Sequence, residues 1–204
     1  MRRVILLATL TIILATGTAM ADSIDGRLGL TGKAGVLVPL KDDFISNTTE
    51  SKTGFAFGGG LIYGFGKNFA AELDVTHVPK LDVEISGSKA YEASFTDLSL
   101  GVQYRFAPEN RLVPFVGAGV DFIKGDLTNI SGAKYDLEWT AGGHVNAGLD
   151  YFINRGIALN ADFRGVYTAK GDIKDGDVWV GEYDPMSFIG TVGVRFFLPE
   201  NVFN

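Results

Sequence analysis

The chain has 204 residues, enough for one domain, and a formal net charge of −6, which argues against nucleic acid as a partner. It contains no cysteine, so an exported form can draw nothing from disulfides. Its 27 glycines follow no Gly-x-y period, which excludes collagen.

Arg2 and Arg3 precede the apolar run Val4 to Leu14, and small residues lead to Ala19-Met20-Ala21. A basic start, a short apolar core and an A-x-A site predict a cleaved secretory signal peptide over 1–21. Residues 22–204 are then the mature domain, with 16 basic and 24 acidic residues. This part offers no run of 18 apolar residues, so no membrane-spanning helix is predicted.

Period-two alternation, the mark of β-strands, replaces it. The first run, Arg27 to Leu40, puts Leu28, Leu30, Ala34, Val36 and Val38 on one face and Arg27, Thr31, Lys33 and Leu37 on the other. A polar stretch, Lys41 to Lys52, follows. The second run, Thr53 to Phe65, has Phe55, Phe57, Leu61, Tyr63 and Phe65 on one face and nearly all small residues opposite. Gly66-Lys67-Asn68 is a tight turn. The third run, Phe69 to Val78, sets Leu73, Val75 and His77 against Glu72, Asp74 and Thr76, and a connecting segment covers Pro79 to Glu92.

The clearest alternation lies in Asp97 to Phe122. Leu98, Leu100, Val102, Tyr104 and Phe106 share a face opposite Asp97, Ser99, Gly101, Gln103 and Arg105. After a short turn, Pro114, Val116, Ala118, Val120 and Phe122 oppose Phe115, Gly117, Gly119 and Asp121. Each run is about 10 residues, the length of a tilted membrane-crossing strand. A polar loop is predicted over Lys124 to Glu138. The sixth run, Trp139 to Phe152, and the seventh, Ile157 to Thr168, flank the turn Ile153 to Gly156. A Gly- and Asp-rich loop, Ala169 to Asp184, leads to the eighth run, Met186 to Leu198.

Eight runs with connections alternately long and short predict an all-β fold: an eight-stranded antiparallel transmembrane β-barrel, an up-and-down meander with both termini periplasmic. Only closure satisfies edge-strand backbone groups in lipid. The outward aromatics form two belts. Phe65, Phe69, Tyr104, Phe106, Tyr151 and Phe196 flank the short turns, and Phe55, Phe122, Trp139, Tyr167 and Phe188 flank the long loops. A soluble lipocalin-like barrel has no reason to place so much apolar area outside. The predicted location is the outer membrane of a Gram-negative bacterium, with the lipid bilayer as partner.

Inward positions divide by height. Arg27, Lys33, Glu72, Asp74, Gln103, Arg105, Asp150, Asp162, Arg164 and Arg195 form a polar set that should pair within a lumen of this size, as a structural plug or as a gate. Leu37, Val78, Phe95, Ile123, Val166 and Ile189 face inward at the extracellular end. An apolar ring there predicts either a pocket for small hydrophobic solutes or simple packing beneath the loops. An enzyme is not expected: the only histidines, His77 and His144, lack a neighbouring nucleophile. Without cysteines and with these histidines on separate strands, no metal or other cofactor is expected either.

Three segments carry a family resemblance: LGVQYRFAPENRLVPFVGAGVDF (100–122), LDYFINRGIALNADFRGVY (149–167) and DPMSFIGTVGVRF (184–196). Their Tyr-x-Phe-Ala-Pro turn, followed by Pro-Phe-Val-Gly-Ala-Gly-Val, resembles the OmpW family of outer-membrane proteins. The resemblance implies a hydrophobic extracellular channel for passive passage of small hydrophobic compounds, with a lateral opening into the membrane. The ending Pro199 to Asn204, which runs past the last strand, departs from the family pattern. The competing expectation is a non-transporting structural, adhesive or stress-related barrel acting through its extracellular loops.

Overall fold

The structure, a computed structural model, describes residues 23–40, 49–85, 87–169, 171–175, 178–183 and 186–199. The predicted signal peptide, most of the first polar stretch and the tail 200–204 lie outside the described residues. The strands are β1 (Leu28–Pro39), β2 (Thr49–Ser51), β3 (Gly54–Gly64), β4 (Phe69–Ile85), β5 (Ser88–Arg105), β6 (Leu112–Asn129), β7 (Lys134–Asn154), β8 (Ile157–Thr168), β9 (Gly171–Asp175), β10 (Val178–Tyr183) and β11 (Ser187–Phe197).

Eight of them close a barrel. Antiparallel neighbours run β1-β3-β4-β5-β6-β7-β8-β11, and β11 pairs back onto β1 from Gly29↔Phe197 to Pro39↔Ser187. Apolar side chains such as Leu30, Leu100, Val145, Val192 and Phe163 cover the outside. Both aromatic belts lie on that exterior, Phe65, Phe69, Tyr104 and Phe106 at the short turns and Phe55, Phe122, Trp139 and Tyr167 toward the long connections.

The walls have unequal height. β1, β3, β8 and β11 are 11–12 residues long. At about 3.3 Å per residue and a tilt of about 40°, such strands rise roughly 28–30 Å, enough to cross an apolar band about 25 Å tall. β4 to β7 have 17–21 residues and reach well beyond it. Three segments expected as connections are therefore mainly strand. Pro79 to Glu92 and Lys124 to Glu138 continue the β4–β5 and β6–β7 ladders, and the loop from Ala169 holds the β9–β10 hairpin, which docks on β7.

The physical reason is a reversal of pattern. Inside the band, apolar residues face out and polar ones in; above it, the inward residues are Val78, Leu81, Val83, Ala93, Phe95 and Leu127. Their outward neighbours are Asp82, Glu84, Glu92, Lys124 and Asp126. Charged residues there mark a strand face turned to water, not a loop. A register shift between Val78 and Leu81 moves the inward parity from even to odd, which keeps Leu81 and Val83 in the core.

The opposite end is sealed by apolar packing that the sequence reading did not assign. Ile24, Ile62, Ala70, Val113, Phe152, Ala158 and Phe197 form one buried cluster. Asp25 bridges to Gly64, which brings the preceding segment against the barrel mouth.

Candidate functional site

Strand alternation sends one residue in two into the lumen, and eight strands leave little more room than the side chains fill. The lower network centres on Arg195. Its Nη1 donates to Asp150 Oδ2 at 2.8 Å and its Nη2 to Glu72 Oε1 at 2.6 Å, while its guanidinium lies 5.3 Å from the Phe115 ring. Arg105 Nη2 approaches the same Asp150 oxygen at 2.8 Å, and Asn160 donates to the other oxygen at 2.8 Å. Gln103 donates to Glu72 Oε2 at 2.7 Å.

A second layer lies above. Asp74 Oδ2 meets Lys33 Nζ and Arg164 Nη2, each at 3.1 Å. Arg164 Nη1 donates to Ser99 at 2.6 Å, and Asn146 donates to Asp162 at 2.7 Å. His144 Nδ1 lies 2.9 Å from both oxygens of Asp121. The small inner face of β3 makes the room: a Cβ at Gly60 would collide with the Asp74 carboxylate.

Nine of the ten expected polar residues meet in this network. Arg27 stands apart at the short-turn end, donating to the carbonyls of Leu198 and Arg155 at 3.1 and 2.7 Å and lying over Phe197. It caps the mouth rather than joining the central layers. Asp97, Asp121 and Ser99 also belong to the layers and were not assigned to the plug. Their inward parity was the available signal.

The six expected apolar residues converge. Leu37, Val78, Phe95, Ile123, Val166 and Ile189 come from six strands, are all buried, and surround one cavity together with Thr76, Asp97 and Ser187. The centre of a water-sized group can move within about 20 Å³ there, room for one such group. The vestibule thus sits directly on the ionic layers, its wall mostly hydrocarbon with Thr76, Asp97 and Ser187 as the polar part.

His77 Nδ1 pairs with Thr96 Oγ1 at 2.9 Å and its ring meets Phe57 edge-on. Among the described residues, no group of three or more His, Cys, Asp or Glu is arranged to hold a metal.

A family model for the outer membrane protein beta-barrel domain matches residues 6–196. Comparison with curated proteins finds no match. Among solved structures, the chain is similar to the outer membrane protein OprG from Pseudomonas aeruginosa, with 17% identity over 85% of this chain and 96% of that one and a TM-score of 0.63. It is similar to the outer membrane protein AlkL, solved in DMPC bilayers, with 20% identity over 89% and 94% and a TM-score of 0.61. It is also similar to Neisserial surface protein A, with 15% identity over 84% and 97% and a TM-score of 0.61. At these identities the likeness is one of fold.

Proposed function

The chain belongs to the outer membrane protein beta-barrel domain family, and from that premise we propose that it admits small hydrophobic molecules into the vestibule at its extracellular end. The observation that carries this reading is the convergence of six apolar side chains from six strands above a closed ionic floor. Hydrocarbon walls favour an apolar guest by roughly 25 cal/mol per Å² of surface removed from water. The same guest cannot cross the charged layers beneath, because desolvating them is too costly.

Passage must then be sideways, as the resemblance to the OmpW family implies. The β3–β4 ladder stops at Phe57↔His77, although β3 continues to Gly54 and β4 to Ile85. Pro79, just above, has no N–H to donate. A Cβ at Gly54 would collide with Val78, so close packing rather than a backbone ladder closes the seam, and β2 covers β4 from Val83 to Ile85 above it. Both termini lie in the periplasm in this arrangement, and transport is passive, with no covalent step.

Leu37→Lys combined with Ile123→Lys tests the reading. Both side chains are buried in the vestibule, and two ammonium groups there should reduce uptake of an apolar probe such as n-octane to the rate of empty vesicles. Unchanged uptake with a folded barrel would refute it. The closed floor and the tall, charged outer face of β4 to β7 support a second reading, a non-transporting barrel whose projecting wall meets other cells or molecules. Solute-independent behaviour together with retained cell binding would favour that reading.

A further inference from the structure

Asp97 is the exception in the ionic network. Glu72, Asp74, Asp121, Asp150 and Asp162 each have a donor within 3.1 Å. Asp97 is 6% exposed, and neither of its oxygens accepts a hydrogen bond. Its nearest cation is Arg164, 4.0 Å away through Nη1, and that guanidinium is committed to Ser99 and Asp74. Lys33 is held by Asp74, and Asp121 one layer below is engaged by His144. Six interior carboxylates, these five and Asp97, face four strong cations, Lys33, Arg105, Arg164 and Arg195. Of the two carboxylates in excess, Asp121 is engaged by His144, which leaves Asp97, the acid that lines the vestibule, without a partner.

An unpaired buried carboxylate is costly, and a cationic donor relieves it. We infer that Asp97, with Thr76 and Ser187 beside it, receives the ammonium head of a small primary alkylamine whose hydrocarbon body lies in the apolar ring. This rests on the vestibule reading above and narrows it from hydrophobic molecules to those carrying one protonated amine. A hard metal ion fits poorly: it takes six or more oxygens, and one carboxylate with two hydroxyl residues supplies few. The cavity accommodates a group the size of an ammonium. Seating the alkyl body requires the ring side chains to move apart, which is part of the same proposal.

The test is a titration of the full chain, folded in lipid nanodiscs, with n-butylammonium and with 1-butanol as its uncharged counterpart, read by saturation-transfer NMR. Butylammonium should bind about tenfold tighter than butanol, the gain of one charge-assisted hydrogen bond. Asp97→Asn should abolish that preference while leaving butanol binding unchanged, and Asp121→Asn should preserve the preference. Val166→Phe, which fills the space, should weaken both probes and supplies a second variant if Asp97→Asn fails to fold. Equal affinity of the two probes, or a preference that survives Asp97→Asn, overturns the assignment while the vestibule stands. Failure of both probes to bind overturns the vestibule reading with it.

Discussion

Replacing Arg195 by Met is the sharpest test of what holds the lumen shut. The side chain is 1% exposed and donates two charged hydrogen bonds, to Asp150 and to Glu72. Asp150 keeps Arg105 and Asn160 after the change. Glu72 keeps only Gln103, with Arg164 at 4.0 Å. The variant therefore leaves one buried carboxylate short of a cation. Two charge-assisted bonds at about 1.5–3 kcal/mol each, or equivalently the loss of one partner of a buried pair, set the expected destabilisation at about 3–5 kcal/mol. Urea unfolding of the barrel in lipid vesicles would measure it, with the exposed Trp139 as fluorophore. Adding Glu72→Gln removes the orphaned charge and should restore about 1–3 kcal/mol. A loss below about 1 kcal/mol, or a double variant no better than the single, would refute the reasoning.

Two further outcomes follow from the exterior. Val192 lies at mid-height on β11 and is 66% exposed to the apolar surroundings, so Val192→Arg should cost about 2–4 kcal/mol in the same assay, against almost nothing for Val192→Leu. Beyond the band, the Lys80 and Lys89 ammonium groups bond Glu92 and hold its carboxyl below the ordinary 4.5, while Asp82 and Glu92 raise Lys89. The carboxylate's contribution is present above its unfolded value and lost as pH falls through the lowered one; the Lys89 contribution is present below 10.5 and lost only above its raised value. Amide exchange at the β4–β5 tip, corrected for intrinsic rates, should therefore hold steady between about pH 5 and 10 and accelerate below about pH 4. High salt should shrink the difference, because these groups are exposed.

The barrel was legible because its lipid-facing half obeys one rule. Leu98 to Phe106 and Pro114 to Phe122 alternate without interruption, and the structure keeps every parity. The extension was not legible because charge was read as a loop signal. Asp82, Glu84, Asp126 and Lys134 alternate as faithfully as the membrane residues, but with the sense reversed by water outside, and the Val78/Leu81 bulge breaks the period where the reversal begins. The apolar cluster of Ile62, Val113, Phe152 and Phe197 escaped for a related reason: inward apolar residues were sought only at the opposite end. The convergence at the vestibule was legible because Leu37, Ile123 and Ile189 hold inward parity on strands whose inward residues lower down include Lys33, Asp121 and Thr191. Asp97 holds the same inward parity, opposite Leu98, but was assigned neither to the plug nor to the ring because it lies at the height where the two meet.

The closed floor turns the question of transport into one about a single seam. Eight strands give a wall that is continuous wherever the ladder is continuous, and a guest can leave sideways only where backbone pairing is replaced by side-chain contact. Continuing the β3–β4 register beyond Phe57↔His77 would set Phe55 opposite Pro79. The chain has no native cysteine, so Phe55→Cys with Pro79→Cys allows one disulfide to lock that seam without competing pairings. Separating the strands is the proposed step of release, and the lock leaves the vestibule and the ionic floor as they are. Oxidised protein should still bind the apolar probe yet fail to deliver it to the bilayer, and reduction with dithiothreitol should restore delivery. Equal delivery in both redox states, with the cross-link verified by mass, would mean that the guest leaves elsewhere or not at all. The second outcome would give the closed lumen its plainer meaning, a barrel built to present its outer wall.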